Sequence, residues 1–189
     1  MSRNRTAAAL VTGSLLVGAL PAIAKAEPVS PLYRLVDTAA QRLATADPVA
    51  ATKWINGGSI TDAARADQVL DNVGADATAH GVDAGYVRKI FTDQIGATEG
   101  IEYTRFAQWK FDPSTVPATA PDLSESRTAI DGFNKIIVDE IALQWNSLHG
   151  PGCAADLHGA TDAVAGAREL DPLYRQALSS ATRSYCTLG

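Results

Sequence analysis

Residues 83–110 read DAGYVRKIFTDQIGATEGIEYTRFAQWK, and this stretch decides the fold class. Val87, Ile90, Phe91, Ile95, Ile101 and Phe106, with Thr98 among them, recur at three- and four-residue spacing. That period lays them along one face of an α-helix, and no part of the stretch alternates apolar with polar residues for long, as a half-buried strand would. Asp83 stands where a helix N-cap belongs.

The same pattern extends in both directions. Upstream, Ser30 to Trp54 carries Leu32, Leu35, Val36, Ala39, Leu43 and Ala46 at helical spacing. Asp47-Pro48 reads either as a cap with proline at the first helical position or as a kink in a longer helix. Gly57-Gly58 ends this segment. Thr61 or Asp62 then starts a second helix, running to about Ala79 and stopping before Gly81. Downstream, Phe111 to Leu123 contains Pro113, Pro117 and Pro121 and reads as an extended connection. Ser124 is the expected N-cap of a fourth helix, with Ile130, Phe133, Ile137, Ile141, Leu143 and Trp145 on its apolar face. After His149-Gly-Pro-Gly152 two shorter helices are expected, at about 153–169 and 172–185. The expectation is all-α: a single domain of about six helices joined by one proline-rich crossover.

The first 26 residues read differently. Arg3 and Arg5 precede an uncharged apolar run from Ala7 to Leu20, Pro21 breaks it, and Ala24-Lys25-Ala26 offers small residues at the spacing signal peptidase accepts. Residues 1–26 are therefore expected to be a signal peptide cleaved after Ala26, and the run is short for a membrane span. Residues 27–189 then form the mature domain, secreted or periplasmic, with no membrane association after cleavage. The leader holds three cations and no acid, so its removal takes the formal charge from −5 to −8. Such an acidic chain is not a nucleic-acid binder. Cys153 and Cys186 are an even pair in an oxidising compartment and read most simply as a disulfide tying the last two helices together. Such a bridge contributes ~2–4 kcal/mol. The three histidines form no metal-spaced cluster with the cysteines, so no metal site is expected.

No phosphate loop, zinc motif or nucleophile triad stands out. What the sequence offers is polar residues near apolar faces. Arg42 and Lys53 are 11 residues apart, which on a continuous helix is about three turns, so both fall on one side roughly 16 Å apart. Thr98 and Glu102, four apart on the long helix, are also neighbours. Alone, each pair is what a solvated helix surface commonly carries.

Together with their surroundings they say more. DPVAATKW at 47–54, DQIGATEGIEY at 93–103 and PDLSESRTAID at 121–131 closely resemble segments of the secreted, all-helical chorismate mutases, as do the leader and the two cysteines. The resemblance covers essentially the whole of residues 27–189. It implies an isomerase that converts chorismate to prephenate by a unimolecular Claisen rearrangement in a cationic pocket, with no metal or organic cofactor. It also implies a homodimer whose sites each lie within one chain. Positions matching the family's substrate site are Arg42, Lys53, Arg65, Thr98, Glu102 and Arg127, with Arg42, Lys53 and Glu102 as the catalytic residues. The arginines would meet the substrate's carboxylates or hydroxyl side, and Lys53 and Glu102 would flank the ether oxygen. One departure is Val69, where relatives tend to place a polar side chain; Gln68 stands beside it, about 100° round the helix. Gly96 and Gly100, flanking Thr98, are unusual inside a helix and suggest close packing or room for a ligand. A competing reading is a secreted helical binding protein that kept the anion pocket but lost catalysis; another is a structural module held by its disulfide.

Overall fold

The computed structural model describes residues 30–186. The expected leader, residues 1–26, lies outside them. Within them the chain is all-helical: α1 (Tyr33–Leu43), α2 (Ala46–Asn56), α3 (Ala63–Ala79), α4 (Ala84–Phe111), α5 (Leu123–Leu143), the single turn α6 (Trp145–Leu148), α7 (Cys153–Ala167) and α8 (Pro172–Thr182). A short 3-10 turn at Pro113–Thr115 interrupts the proline-rich crossover.

Seven helices longer than one turn appear where about six were expected, because the first expected helix is broken. The break falls at Ala44 and Thr45 rather than at Asp47-Pro48, where Thr45 Oγ1 donates to the Arg42 carbonyl at 2.7 Å. A hydroxyl that turns back on the preceding carbonyl competes with the helix ladder. Pro48 sits within the first turn of α2, where its missing N–H costs nothing.

Helix starts follow aspartate. Asp62, Asp83, Asp122 and Asp171 accept backbone N–H groups from Arg65, Tyr86, Ser124 and Tyr174, each cap contributing about 1 kcal/mol. For α5 this corrects the expected cap: Asp122, not Ser124, closes the helix, and Ser124 supplies the N–H that Asp122 accepts at 2.7 Å. A carboxylate is the stronger acceptor and also favours the positive end of the helix dipole. Gly57 ends α2 with φ 72°, which lets Gly58 donate to the Lys53 carbonyl at 2.7 Å. An L side chain at 57 would be strained there.

Two helices organise the bundle. α1 packs on α5, α7 and α8, and α4 packs on α8, α3 and α2. Leu35, Val36, Leu43, Ile90, Phe91, Ile101, Ile137, Ile141 and Leu178 fill the main core. A second, small cluster of Ala50, Ala51 and Trp109, flanked by Trp54 and Phe106, lies between α2 and the far end of α4. The apolar face expected for α5 holds at Ile137 and Ile141, but Leu143 is 72% exposed. It lies two residues past Ile141, about 200° around the helix, and so faces outward. Cys153 and Cys186 are disulfide-bonded, joining the start of α7 to the segment after α8.

That segment also docks against α4. Tyr185 is fully buried, accepts a side-chain N–H from Gln94 at 3.0 Å, and takes the Tyr86 hydroxyl on its carbonyl. Arg183 pairs with the buried Asp93.

Candidate active site

Where α1 to α5 meet, the side chains leave a cavity of about 110 Å³, partly open to solvent. Arg42 is contributed by α1, Lys53 by α2, Arg65 and Val69 by α3, Thr98, Glu99 and Glu102 by α4, and Arg127 by α5. All six site residues expected from the sequence line this one cavity. Asp62 also lines it, and the rest of its wall is apolar: Val49, Ile60, Ala66, Val69, Ile95, Leu123 and Ile130.

Arg42 forms the floor. It is 4% exposed, and its guanidinium is held on two edges. Nε donates to Asn134 Oδ1 at 2.8 Å; Nη1 donates to Thr98 Oγ1 at 3.1 Å and to the Gln94 carbonyl at 3.4 Å. Burial lowers its pKa to about 10, with the nearby Arg65 acting the same way, so it stays charged at neutral pH. Thr98 mirrors the arrangement, donating to the Gln94 carbonyl at 2.8 Å and keeping a lone pair for Arg42.

Lys53 and Glu102 face each other at 2.8 Å on the opposite wall. Lys53 Nζ also donates to the Ile60 carbonyl at 2.7 Å, which leaves its third N–H uncommitted. Glu102 is 2% exposed, and its Oε1 makes no hydrogen bond among the described residues. Burial raises its pKa, opposed by the hydrogen bond and charge of Lys53 and supported by Glu99. Desolvation is the larger cause, so the carboxyl holds its proton to higher pH than an ordinary glutamate.

At the mouth the cations are differently placed. Arg65 donates from Nη2 to Asp131 at 2.7 Å and from Nη1 to Gln68 at 2.9 Å. Arg127 is exposed and has no hydrogen-bond or ion-pair partner among the described residues. Gln68 does not line the main cavity; it braces Arg65 in a shallow outer recess. Val69 does line it, as an apolar wall 4% exposed. Neither Gly96 nor Gly100 borders the cavity, and a Cβ at either would meet nothing within 4 Å, so nothing in the structure explains them.

Sequence reasoning missed Asn134, a buried polar residue on α5 that reaches Arg42 across 92 positions of chain. A signal was present: on the helical face that also carries Ile137, Ile141 and Val138, an asparagine is out of place unless something satisfies it. Among the described residues no cluster of three or more His, Cys, Asp or Glu is set to hold a metal ion. No described helix is long and apolar enough to cross a membrane.

The fold and the site define a helical-bundle protein with four cations, Arg42, Lys53, Arg65 and Arg127, and three acids, Asp62, Glu99 and Glu102, around one largely apolar-walled cavity. Comparison with known proteins agrees. Residues 33–103 match the family model for chorismate mutase type II. The secreted chorismate mutase of Mycolicibacterium smegmatis is 58% identical over 163 residues, 86% of this chain and 90% of that protein. The secreted chorismate mutase of Mycobacterium tuberculosis is 46% identical over 92% of this chain and 87% of its own length. Among solved structures, the chorismate mutase of Burkholderia thailandensis superposes with a TM-score of 0.79 at 33% identity, over 83% of this chain and 99% of that one. The chain belongs to the chorismate mutase family.

Proposed function

We propose that this cavity rearranges chorismate to prephenate, with Arg42, Arg65 and Arg127 receiving the substrate's two carboxylates and Lys53 and Glu102 flanking its ether oxygen. The observation that carries the assignment of roles is the convergence of all six residues, from five helices, on one cavity.

The chemistry asks for little beyond placement. The ether C–O bond breaks while a C–C bond forms within one molecule, and no proton or leaving group departs. Arginine forks bind carboxylates with orientation as well as charge. Holding the flexible enolpyruvyl arm against the ring removes part of the entropic barrier. Negative charge grows on the ether oxygen as its bond lengthens, so donors already aimed there stabilise the transition state more than the ground state. The uncommitted N–H of Lys53 is one such donor. A protonated Glu102 is the other: its Oε2 stays with Lys53, and the open Oε1 carries the proton. The raised pKa of Glu102 favours this form.

Residues 1–26 act as a cleaved leader in this reading, and the enzyme works outside the cytoplasm, as the two relatives named secreted chorismate mutases do by their names. A homodimer with each site within one chain belongs to this reading, and it is supported by a lining drawn from α1 to α5 and the α2–α3 connection of a single chain. Light scattering across a concentration range tests that state.

The decisive measurement is loss of chorismate absorbance with purified protein, alongside binding of a bicyclic diacid that mimics the transition state. Turnover that is abolished in Lys53→Ala and blocked by the diacid supports the assignment. Tight diacid binding without turnover would instead leave a binding protein.

A further inference from the structure

We propose that Asn134 is a positioning residue for catalysis: its side-chain carbonyl fixes the rotation of the Arg42 guanidinium so that only the Nη2 edge is presented to substrate. This rests on the reading of Arg42 as a substrate-binding arginine.

A guanidinium has five N–H donors in one plane. In Arg42 the single Nε hydrogen goes to Asn134, and the two on Nη1 are directed at Thr98 and the Gln94 carbonyl. The two hydrogens on Nη2 have no acceptor among the described residues. A carboxylate therefore cannot use the side-on fork of Nε with Nη2, the commonest way an arginine grips one, without displacing Asn134. It must approach Nη2 end-on, which sets where the carboxylate lies relative to Lys53 and Glu102. Thr98 and Gln94 come from the same turn of α4 and hold only one nitrogen, leaving the group free to pivot. Asn134 comes from α5 and supplies the second fixed point.

Asn134 is poorly explained otherwise. Asparagine is among the weaker helix formers, and at 6% exposure inside α5 it gains nothing from burial unless paired. Its contact with Arg42 at 2.8 Å is the only side-chain hydrogen bond it makes among the described residues. Arginine has no acceptor, so the amide must turn its oxygen inward. Asn134 also borders a separate groove between α3 and α5, together with Asp76 and Lys135.

The test is a double-mutant cycle on kcat/KM with Arg42→Lys, which keeps the charge but has no Nε–H for Asn134 to accept. Asn134→Ala is expected to lower kcat/KM by about 10–100-fold in the parent protein, the usual range for a group that orients a functional residue. In the Arg42→Lys background the same change is expected to cost less than about twofold, because the partner is already gone. An unchanged kcat/KM in Asn134→Ala, or an equal loss in both backgrounds, would overturn the proposal. If Asn134→Ala does not fold, Asn134→Asp is read instead: it keeps the acceptor, so kcat holds, while its charge competes with the substrate carboxylate and KM rises. An unchanged KM there, or a collapsed kcat, counts against the proposal. Should Arg42→Lys itself leave kcat/KM unchanged, the assignment of Arg42 to the substrate site fails; should it impair turnover while Asn134→Ala does not, only the positioning role fails.

Discussion

At the floor of the pocket Arg42 is buried and already hydrogen-bonded to Asn134, Thr98 and the Gln94 carbonyl, whereas at the rim Arg127 is exposed and unpartnered and Arg65 leans on Asp131 and Gln68. The difference follows from solvent. A cation taken out of water must be satisfied by the protein before substrate arrives, or it destabilises the fold. A rim cation keeps its hydration and can wait. On the proposed assignment the floor would act as a fixed template, and the rim as an attracting edge.

Removing the floor cation should cost most. Arg42→Ala is expected to lower kcat/KM by about a thousandfold, some 4 kcal/mol, since on the proposed assignment it deletes a desolvated charge that meets the substrate. Steady-state kinetics would show whether kcat and not KM alone collapses; a loss confined to KM would erase the distinction between floor and rim.

Glu102 belongs with the floor by burial, and its effect depends on pH. Its pKa is raised, mainly by desolvation, so the folded protein keeps this proton where the unfolded chain has lost it. The associated stability is fully present below the unfolded value of about 4.3 and is lost as pH rises through the folded value. Catalysis by the protonated form should follow the same direction, falling about tenfold per pH unit above that folded value. Glu102→Gln, which donates at every pH, should flatten the profile of kcat/KM while retaining activity. A mutant profile that still falls like the parent's would reassign the titration to another group.

The rim should respond more gently. Arg127→Ala is expected to raise KM about tenfold with little change in kcat, the signature of lost attraction in a solvated setting, and adding salt to the parent should mimic part of it. A large fall in kcat would mean that Arg127 closes onto the reacting atoms, making it part of the template.

Smallest of all should be changes outside both regions. Gly96 and Gly100 lie in α4 with open space beside them, so alanine at either is expected to add about 0.5–1 kcal/mol of stability without altering kcat/KM. Thermal melts and parallel kinetics test this; a loss of activity would show that the back of α4 communicates with its pocket side.

Much of this was legible in the residues. The three-and-four spacing of Val87, Ile90, Phe91 and Ile101 marked α4 because helix period and burial coincide there. The six site residues could be named because their surrounding segments resemble those of a known family; composition alone left them as surface charges. Less visible were features set by competition between near neighbours. Thr45, not Pro48, breaks the first helix through a hydroxyl that bonds backward. Asp122 outcompetes Ser124 as a cap. Leu143 seemed apolar enough for the core, but its helical phase puts it outside. Asn134 stayed hidden because its partner lies in another helix, and only folding brings the two together.

The disulfide-held segment after α8 is a brace for α4, the helix that carries Thr98 and Glu102. Arg183 and Tyr185 are the partners of Asp93 and Gln94, one turn of α4 before Thr98, whose hydroxyl donates to the Gln94 carbonyl. They follow every helix of the bundle in chain order. All six residues proposed for the site therefore precede, in chain order, the disulfide-held segment that packs against α4.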